Sequence, residues 1–231
     1  MPAEGGRKGE GGTMDQELVD RLVVEEWEFF QKVRGENGRA SCQDDWDTFK
    51  VMRSSQALAW NDEIVRSWLD DLAAYRAQGR NPMMEKYARM MEFTEPEEYE
   101  KLKPLLPPVE EGARALARHL TERMVKWVEE AREEYPYVCG AGRPLHANED
   151  SDKDTSLETY DYCELQTYSP RTLELIAKRY DEADAAGENL YLTTQENTAR
   201  QQGYGSLAEA ERVLAYSTRC CYHNDPLGQR M

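Results

Sequence analysis

The sequence predicts an all-α fold, a compact array of about nine helices arranged as two related halves. Apolar residues recur at spacings of three and four through most of the chain, which is typical of amphipathic helices. Residues that cap helix N-termini precede these stretches, and glycines end several of them. Short stretches of alternating polarity are outnumbered by this helical pattern, so no strand is predicted.

The first half is predicted to span residues 14–103. Asp44 or Asp45, and then Asn61, stand where N-caps are needed before two of its helices. Another helix opens at Asn81-Pro82, because proline suits the first turn. On that helix Glu85 and Arg89 lie four residues apart and are expected to pair.

Three prolines between residues 104 and 108 mark the predicted boundary, and the second half covers residues 109–217. It begins with a long helix that ends near residue 135. The irregular stretch 139–154 follows, and loops of this length in a compact domain often carry functional residues. Thr155 or Ser156, and then Ser169, are the predicted caps of the next helices.

Both ends of the chain are predicted to lie outside the helical array. Residues 1–13 are rich in glycine and charge and are expected to be disordered, and residues 218–231 are expected to form a C-terminal tail. Met14 is a second candidate for the true start. No signal peptide and no membrane span is predicted.

Charge and cysteine usage limit the classes of partner. The formal net charge is −16, which disfavours binding to nucleic acid or to anionic membranes. Five cysteines without paired spacing indicate reduced thiols, and hence a cytoplasmic protein. A small-molecule ligand and a protein partner both stay open.

An internal repeat is the second architectural prediction. Asp47-Thr48 and Asp154-Thr155 each precede a helix that ends in an aromatic residue, Trp60 in one case and Tyr168 in the other. The two copies are offset by 107 and then 108 positions, and each follows a Gly-Arg pair. A duplicated unit would bring the two polar loops together in one cleft.

Three longer stretches carry a family resemblance. They are Arg39 to Trp46, Glu85 to Glu92, and the segment from Asp154 through Tyr160 to Ser169. With them the chain resembles the bacterial family of domains of unknown function numbered four-one-two-five, over nearly all of residues 15–215. The resemblance implies a bacterial, cytoplasmic domain that can be joined to others, and it implies no activity.

Carboxylates are the strongest candidates for chemistry. Glu158, Asp161 and Glu164 lie three apart and share one side of a helix, where one carboxyl can raise the pKa of another. We therefore predict acid or base roles for Glu158, Glu164 and Asp45. A solvated acidic face is the structural alternative, and a helix cap with a buried thiol is the alternative to a nucleophilic Cys42.

Polar side chains of both halves are predicted to bind a ligand. They are Arg39, Gln43, Asp44, Arg89, Arg143 and Tyr160. An ion pair that holds helices together is the alternative role for Arg89. No metal site is predicted, because the adjacent Cys220 and Cys221 give poor tetrahedral geometry, and no pattern identifies a cofactor.

Two functions of different classes follow from the sequence. The first is a small-molecule enzyme or ligand-binding domain, in which carboxylates transfer protons while Arg and Tyr orient a polar substrate between the halves. The alternative is a helical interaction or maturation module that docks on a partner enzyme. An enclosed pocket with polar side chains held in hydrogen bonds favours the first, and an exposed apolar groove favours the second.

Overall fold

The fold is all-α, as predicted. The computed structural model describes residues 14–35, 38–151 and 154–223, with side chains to residue 218. Within these ranges there are ten α-helices, three short 3-10 turns and no β-strand. The helices are α1 Gln16–Phe30, α2 Trp46–Ala59, α3 Asp62–Ala77, α4 Pro82–Thr94, α5 Pro96–Leu102, α6 Glu111–Glu134, α7 Leu157–Leu165, α8 Pro170–Ala186, α9 Leu190–Gln201 and α10 Leu207–His223.

Side-chain caps set the starts of most helices. Asp45, rather than Asp44, caps α2 by accepting from the Thr48 amide at 3.0 Å. Ser156 caps α7 in the same way. The other capping residues are Asp15, Asn61, Asn81, Ser169 and Asn189. Gly187 ends α8 with φ 67°, a left-handed conformation that glycine adopts without strain.

Helix packing is symmetric between the two halves. In the first, α1 packs against α2, α3 and α4, and in the second, α6 packs against α7, α8 and α9. Across the interface between the two halves, called the seam below, α2 contacts α9, α4 contacts α7, and α3 contacts α8. Exchanging the two sets of helices therefore reproduces the same contacts.

One apolar core runs through both halves. Its fully buried members include Leu22 and Ile64 from the first half, and Leu120 and Leu173 from the second. Trp68 packs edge-on against Tyr168 across the seam, with ring centroids 4.3 Å apart. A smaller cluster seats α10 on α9 and includes Ala199, Leu207 and Ala210. The two halves thus share one apolar core.

Some predicted features lie at the edge of the described residues. Residues 1–13 and 224–231 are outside them, so the expected disorder of residues 1–13 is outside them too. Helix α10 reaches His223 and so enters the stretch expected to be a tail. Within the described part of the chain, no helix combines the length and the hydropathy that crossing a bilayer requires.

Leu120→Ala is expected to lower the free energy of unfolding by about 2–5 kcal/mol, because it leaves a cavity in the shared core. Leu105→Ala is the matched control, since Leu105 is 79% exposed and its truncation should cost less than about 0.5 kcal/mol. Urea denaturation followed by circular dichroism measures both. Equal effects of the two substitutions would contradict the placement of Leu120 in the core.

Candidate functional site

A cavity of about 620 Å³ lies between the two halves. Helices α2 and α4 line it from the first half, and α7 and α9 from the second, with α6 and α8 contributing side chains. Its walls are largely apolar and aromatic, formed by Phe30, Phe49, Met52, Trp60, Met83, Met124, Trp127, Leu157, Tyr180, Leu190 and Tyr191. Six charged side chains also line it: Asp45, Arg53, Lys86, Arg143, Asp161 and Glu164.

A cluster of four charged side chains is buried beside the cavity. The Glu164 carboxylate accepts two hydrogen bonds from cations. Arg53 Nη1 donates to Oε1 at 2.9 Å, and Lys86 Nζ donates to Oε2 at 3.0 Å. Arg53 also donates to both oxygens of Glu26, from Nε at 2.7 Å and from Nη2 at 2.5 Å. Two cations and two carboxylates therefore neutralise each other.

Two aromatic side chains complete the hydrogen bonding of this cluster. The indole Nε1 of Trp68 donates to Glu26 Oε1 at 2.7 Å, and the hydroxyl of Tyr168 donates to Glu164 Oε1 at 3.0 Å. Buried charges are costly unless they are paired and hydrogen-bonded, and here both conditions are met. The cluster joins α1, α2, α3, α4 and α7.

The charge states of the cluster are fixed. Burial would raise the pKa of Glu164, but the charges of Arg53 and Lys86 outweigh it and hold that pKa well below its usual range. Burial would likewise lower the pKa of Lys86, yet Glu164 keeps it well above its ordinary value. Glu164 therefore stays ionised and Lys86 stays protonated at neutral pH.

Asp161 is the carboxyl group of the cavity that can change charge near neutrality. Burial raises its pKa to about 7, and the negative charge of Glu164 adds to this, against the opposing effect of a hydrogen bond from Thr121. That hydroxyl donates to Asp161 Oδ2 at 2.7 Å. Asp161 belongs to the acidic row noted in the sequence but was not among the predicted catalytic residues.

Tyr160 lies within reach of two cations. Lys86 Nζ donates to its hydroxyl at 2.6 Å and lies 4.1 Å from the ring centroid. The Arg143 guanidinium lies 5.2 Å from the same centroid, on the loop after Gly142, and both residues line the cavity. Gly142 has φ 105°, which favours glycine at this turn.

Four of the predicted site residues reach the cavity: Asp45, Arg143, Tyr160 and Glu164. Asp45 lies on an exposed rim, and its pKa is lowered by the hydrogen bond from the Thr48 backbone amide. Its carboxylate is thus occupied as a helix cap. Cys42, which follows the first Gly-Arg pair, and Arg143, which belongs to the second, line the same cavity.

Other predicted site residues are engaged elsewhere. Gln43 is buried and donates to the Phe30 carbonyl at 2.7 Å, so it closes the end of α1. Arg39 donates to the Gln43 carbonyl and to exposed Asp44. Glu158 accepts from the Ala147 amide at 2.8 Å and holds the loop before α7. These side chains have structural partners outside the cavity.

Arg89 is separated from the other predicted ligand-binding residues. It is buried and donates to the Pro107 carbonyl at 2.8 Å, on the wall of a second, smaller cavity of about 280 Å³. The expected pair with Glu85 does not form, because Arg80 binds both oxygens of Glu85 at 2.7 and 2.8 Å. Arg89 thus braces the segment between the halves.

Sequence reasoning missed Glu26, Arg53 and Lys86, although a signal was present. Each lies in the apolar stripe of its helix, with Arg53 four residues after Phe49 and Lys86 three after Met83. A charged residue in a buried stripe requires a partner, so these three positions predict a buried ion cluster. The partner itself could not be read from spacing.

One protein-family model matches most of this chain. The family model described as "Protein of unknown function (DUF4125)" matches residues 16–212, and the chain belongs to that family. This agrees with the resemblance carried by its motifs. No curated protein and no solved structure gives a significant match.

Glu164→Gln is expected to destabilise the fold by about 3–5 kcal/mol, because it leaves Arg53 and Lys86 buried without a shared counter-charge. Glu98→Gln is the control, since its pair with Lys101 is exposed and is worth at most about 1 kcal/mol. Chemical denaturation at neutral pH measures both. A loss under about 1 kcal/mol for Glu164→Gln would contradict the role of the cluster.

Gln43→Leu is expected to cost about 1–3 kcal/mol, because the Ala40 amide loses its acceptor and the carbonyls of Phe30 and Val33 lose the Gln43 donor. Asp44→Asn is the control at the neighbouring exposed position and should change stability little. Thermal unfolding measures both variants. Unchanged stability together with lost ligand binding would instead return Gln43 to the predicted binding role.

Proposed function

We propose that this DUF4125 protein takes up a small organic molecule in the cavity between its halves, and that Asp161 exchanges a proton with it. One observation carries the proposal: a cavity of about 620 Å³ has apolar walls and a single group, Asp161, whose pKa lies near 7. Ligand sites commonly have volumes of about 300–1,000 Å³, with apolar walls and a few placed polar groups.

The choice of Asp161 over the predicted acids rests on proton availability. An acid or base works best when its pKa lies near the working pH, since both protonation states are then populated. Glu164 does not meet this condition, because Arg53 and Lys86 keep it ionised. Asp45 is likewise held ionised at the start of α2. Asp161 therefore takes over the acid–base role.

Other side chains would orient the molecule. Lys86 holds the Tyr160 hydroxyl at 2.6 Å, so the phenol has a fixed position at the cavity wall. Arg143 covers the same ring from a more exposed loop and is suited to a polar group at the cavity mouth. The Arg53–Glu164–Lys86 contacts keep these groups in place before any ligand arrives, which lowers the cost of binding.

We also infer that the two halves arose by duplication. Eight pairs of lining residues stand 108 positions apart, one in each half, and among them are Arg53 with Asp161, Gln56 with Glu164, Met83 with Tyr191, and Lys86 with Thr194. The symmetric helix packing supports the same inference. The cavity would then follow the pseudo-two-fold axis, as ligand sites between repeated units do.

Free thiols support the proposed bacterial cytoplasm as the place of action. Cys42, Cys139 and Cys163 are unpaired with one another in the described part of the chain. Burial raises the pKa of Cys139 to about 11, so this thiol is inert at neutral pH. Such cysteines persist most readily in a reducing compartment.

A docking module is the second candidate, and one observation favours it. Helix α10 exposes Val213, Leu214 and Tyr216, with Tyr216 exposed to 72%. These side chains form a short apolar patch, whereas the cavity offers a larger and more polar binding environment. The cavity experiment below decides between the two functions.

Native mass spectrometry of the protein from a bacterial host, compared with its denatured mass, is expected to show a retained small molecule. Thr194→Trp should abolish retention, because it fills the cavity from α9. Met84→Trp is the control, since Met84 is 43% exposed and lies outside the cavity. A bare wild-type mass that incubation with host metabolite extract leaves unchanged would favour the docking module.

Asp161→Asn is expected to stabilise the protein at pH 8 but not at pH 4. Because the folded-state pKa of Asp161 is raised to about 7, its ionisation opposes folding, and this penalty grows as pH rises through the interval from about 4 to 7. The variant should gain roughly 1–3 kcal/mol over wild type across that interval. A stability difference that does not vary with pH would contradict the placement of Asp161.

A further inference from the structure

Asp161 offers an unused acceptor to the cavity. Its Oδ2 accepts a hydrogen bond from the Thr121 hydroxyl. Its Oδ1 accepts no hydrogen bond from the described residues, and it is not one of the fully buried polar atoms that lack a partner. No arginine or lysine of the described chain forms an ion pair with it. Since Asp161 lines the cavity, Oδ1 is free to meet a ligand.

The remaining charges of the cavity interior are already balanced. Arg53 and Lys86 are matched by Glu26 and Glu164 within hydrogen-bond distance. Arg143 and Asp45 lie at more exposed positions on the rim. The unmatched charge in the interior is therefore the negative charge of ionised Asp161.

Aromatic rings line the same cavity. Trp127 and Tyr180 stand 4.6 Å apart between ring centroids, and both line the cavity together with Tyr191. Burial raises the pKa of the Tyr180 hydroxyl, and the nearby charge of Asp161 adds to this effect. Ring faces attract cations, most strongly where water is excluded, and aromatic cages serve to bind organic ammonium groups.

We propose that the ligand is an organic ammonium compound with an apolar body, bound through a charge-assisted hydrogen bond from its nitrogen to Asp161 Oδ1. The aromatic and methionine walls take up the apolar body, and the Trp127 ring adds to the attraction for the cation. The Tyr180 ring already has the Arg123 guanidinium 5.3 Å from its centroid. An anion would meet the negative charge of Asp161 instead. This inference rests on the proposed function and names its ligand class.

The binding should depend on pH in a defined direction. Asp161, with a pKa of about 7, is mostly ionised at pH 8 and mostly protonated at pH 6, whereas an alkylamine with a pKa of about 10 is protonated at both. Affinity for the amine should therefore rise with pH. Among the other titratable groups on the cavity wall, those that hold one charge state in this interval include Glu164 of α7, Tyr180 of α8, Tyr191 of α9, Lys86 and Tyr87 of α4 and Arg53 of α2. Cys42, Asp45, Arg143 and Tyr160 also line the cavity.

Three probes with one apolar body test the ligand class by isothermal titration calorimetry on the full chain: naphthylethylamine, naphthylethanol and naphthylacetate. At pH 8 the amine should bind at least about tenfold more tightly than the alcohol, and the acetate more weakly than either. At pH 6 the preference for the amine should fall several-fold.

Substitutions then test whether Asp161 causes the tighter binding of the amine. Asp161→Asn should remove the advantage of the amine over the alcohol and leave alcohol binding in place. Asp70→Asn is the matched control, because Asp70 is exposed and lies outside the cavity. The ratio of the two affinities on wild-type protein decides the inference even where Asp161→Asn fails to fold.

The outcomes separate this inference from the proposed function. Alcohol binding equal to amine binding on wild type, or an amine preference that survives Asp161→Asn, overturns the ammonium ligand while the cavity stays a binding site. Tightest binding of the acetate also overturns it and points to Arg143. Binding of none of the three probes overturns the ammonium ligand, and native mass spectrometry then decides separately between the cavity and the apolar patch of α10.

Discussion

The buried carboxylate of Glu164 is the group around which this molecule is assembled. It accepts from Arg53, Lys86 and Tyr168, which come from two helices of the first half and from the turn after α7. Through Arg53 the network continues to Glu26 and Trp68 on α1 and α3. Five helices are therefore positioned by one set of charge-assisted hydrogen bonds.

Such a network contributes more to geometry than to net stability. Removing charges from water costs several kcal/mol per ion, and pairing returns about the same amount only when the geometry is good. An apolar cluster of equal volume would hold the halves together as well. What the ions add is direction, because each hydrogen bond specifies where Lys86 and Tyr160 must lie. The polar wall of the cavity is thus built before a ligand enters.

Asp161 owes its properties to being left out of this network. It lies one turn from Glu164 on α7, yet the cations that hold Glu164 ionised make no ion pair with it. Two carboxyl groups of the same helix consequently differ widely in pKa. Separate environments of this kind are how one site keeps a fixed charge and a mobile proton together.

The sequence predicts the helices well because their causes are local. Apolar spacing and capping residues such as Asn61 and Ser169 act within a few positions, so they can be read directly. The ion cluster has no local cause: Arg53 and Glu164 are 111 positions apart, and Lys86 and Glu164 are 78 apart. Only the tertiary arrangement tells which acid meets which base.

The same limit explains the fate of the predicted site residues. Gln43 and Asp45 belong to a polar loop that is typical of a binding site. Both side chains, however, are hydrogen-bonded to backbone groups, Gln43 to the Phe30 carbonyl and Asp45 to the Thr48 amide. Polar side chains near helix ends satisfy orphan carbonyl and amide groups before they serve a ligand. Tyr160 and Arg143 do line the cavity, although Arg143 also donates to the Thr155 carbonyl at 3.1 Å and Tyr160 accepts from Lys86.

The division of charge across the seam has an evolutionary consequence. The first half supplies both cations, Arg53 and Lys86, and the second supplies the carboxylate they share. A change of charge at any one of these positions would strand the others in a low-dielectric interior. The three codons are therefore expected to drift together or to stay fixed together. Encoding both halves in one gene guarantees that matched partners are inherited and synthesised as a unit.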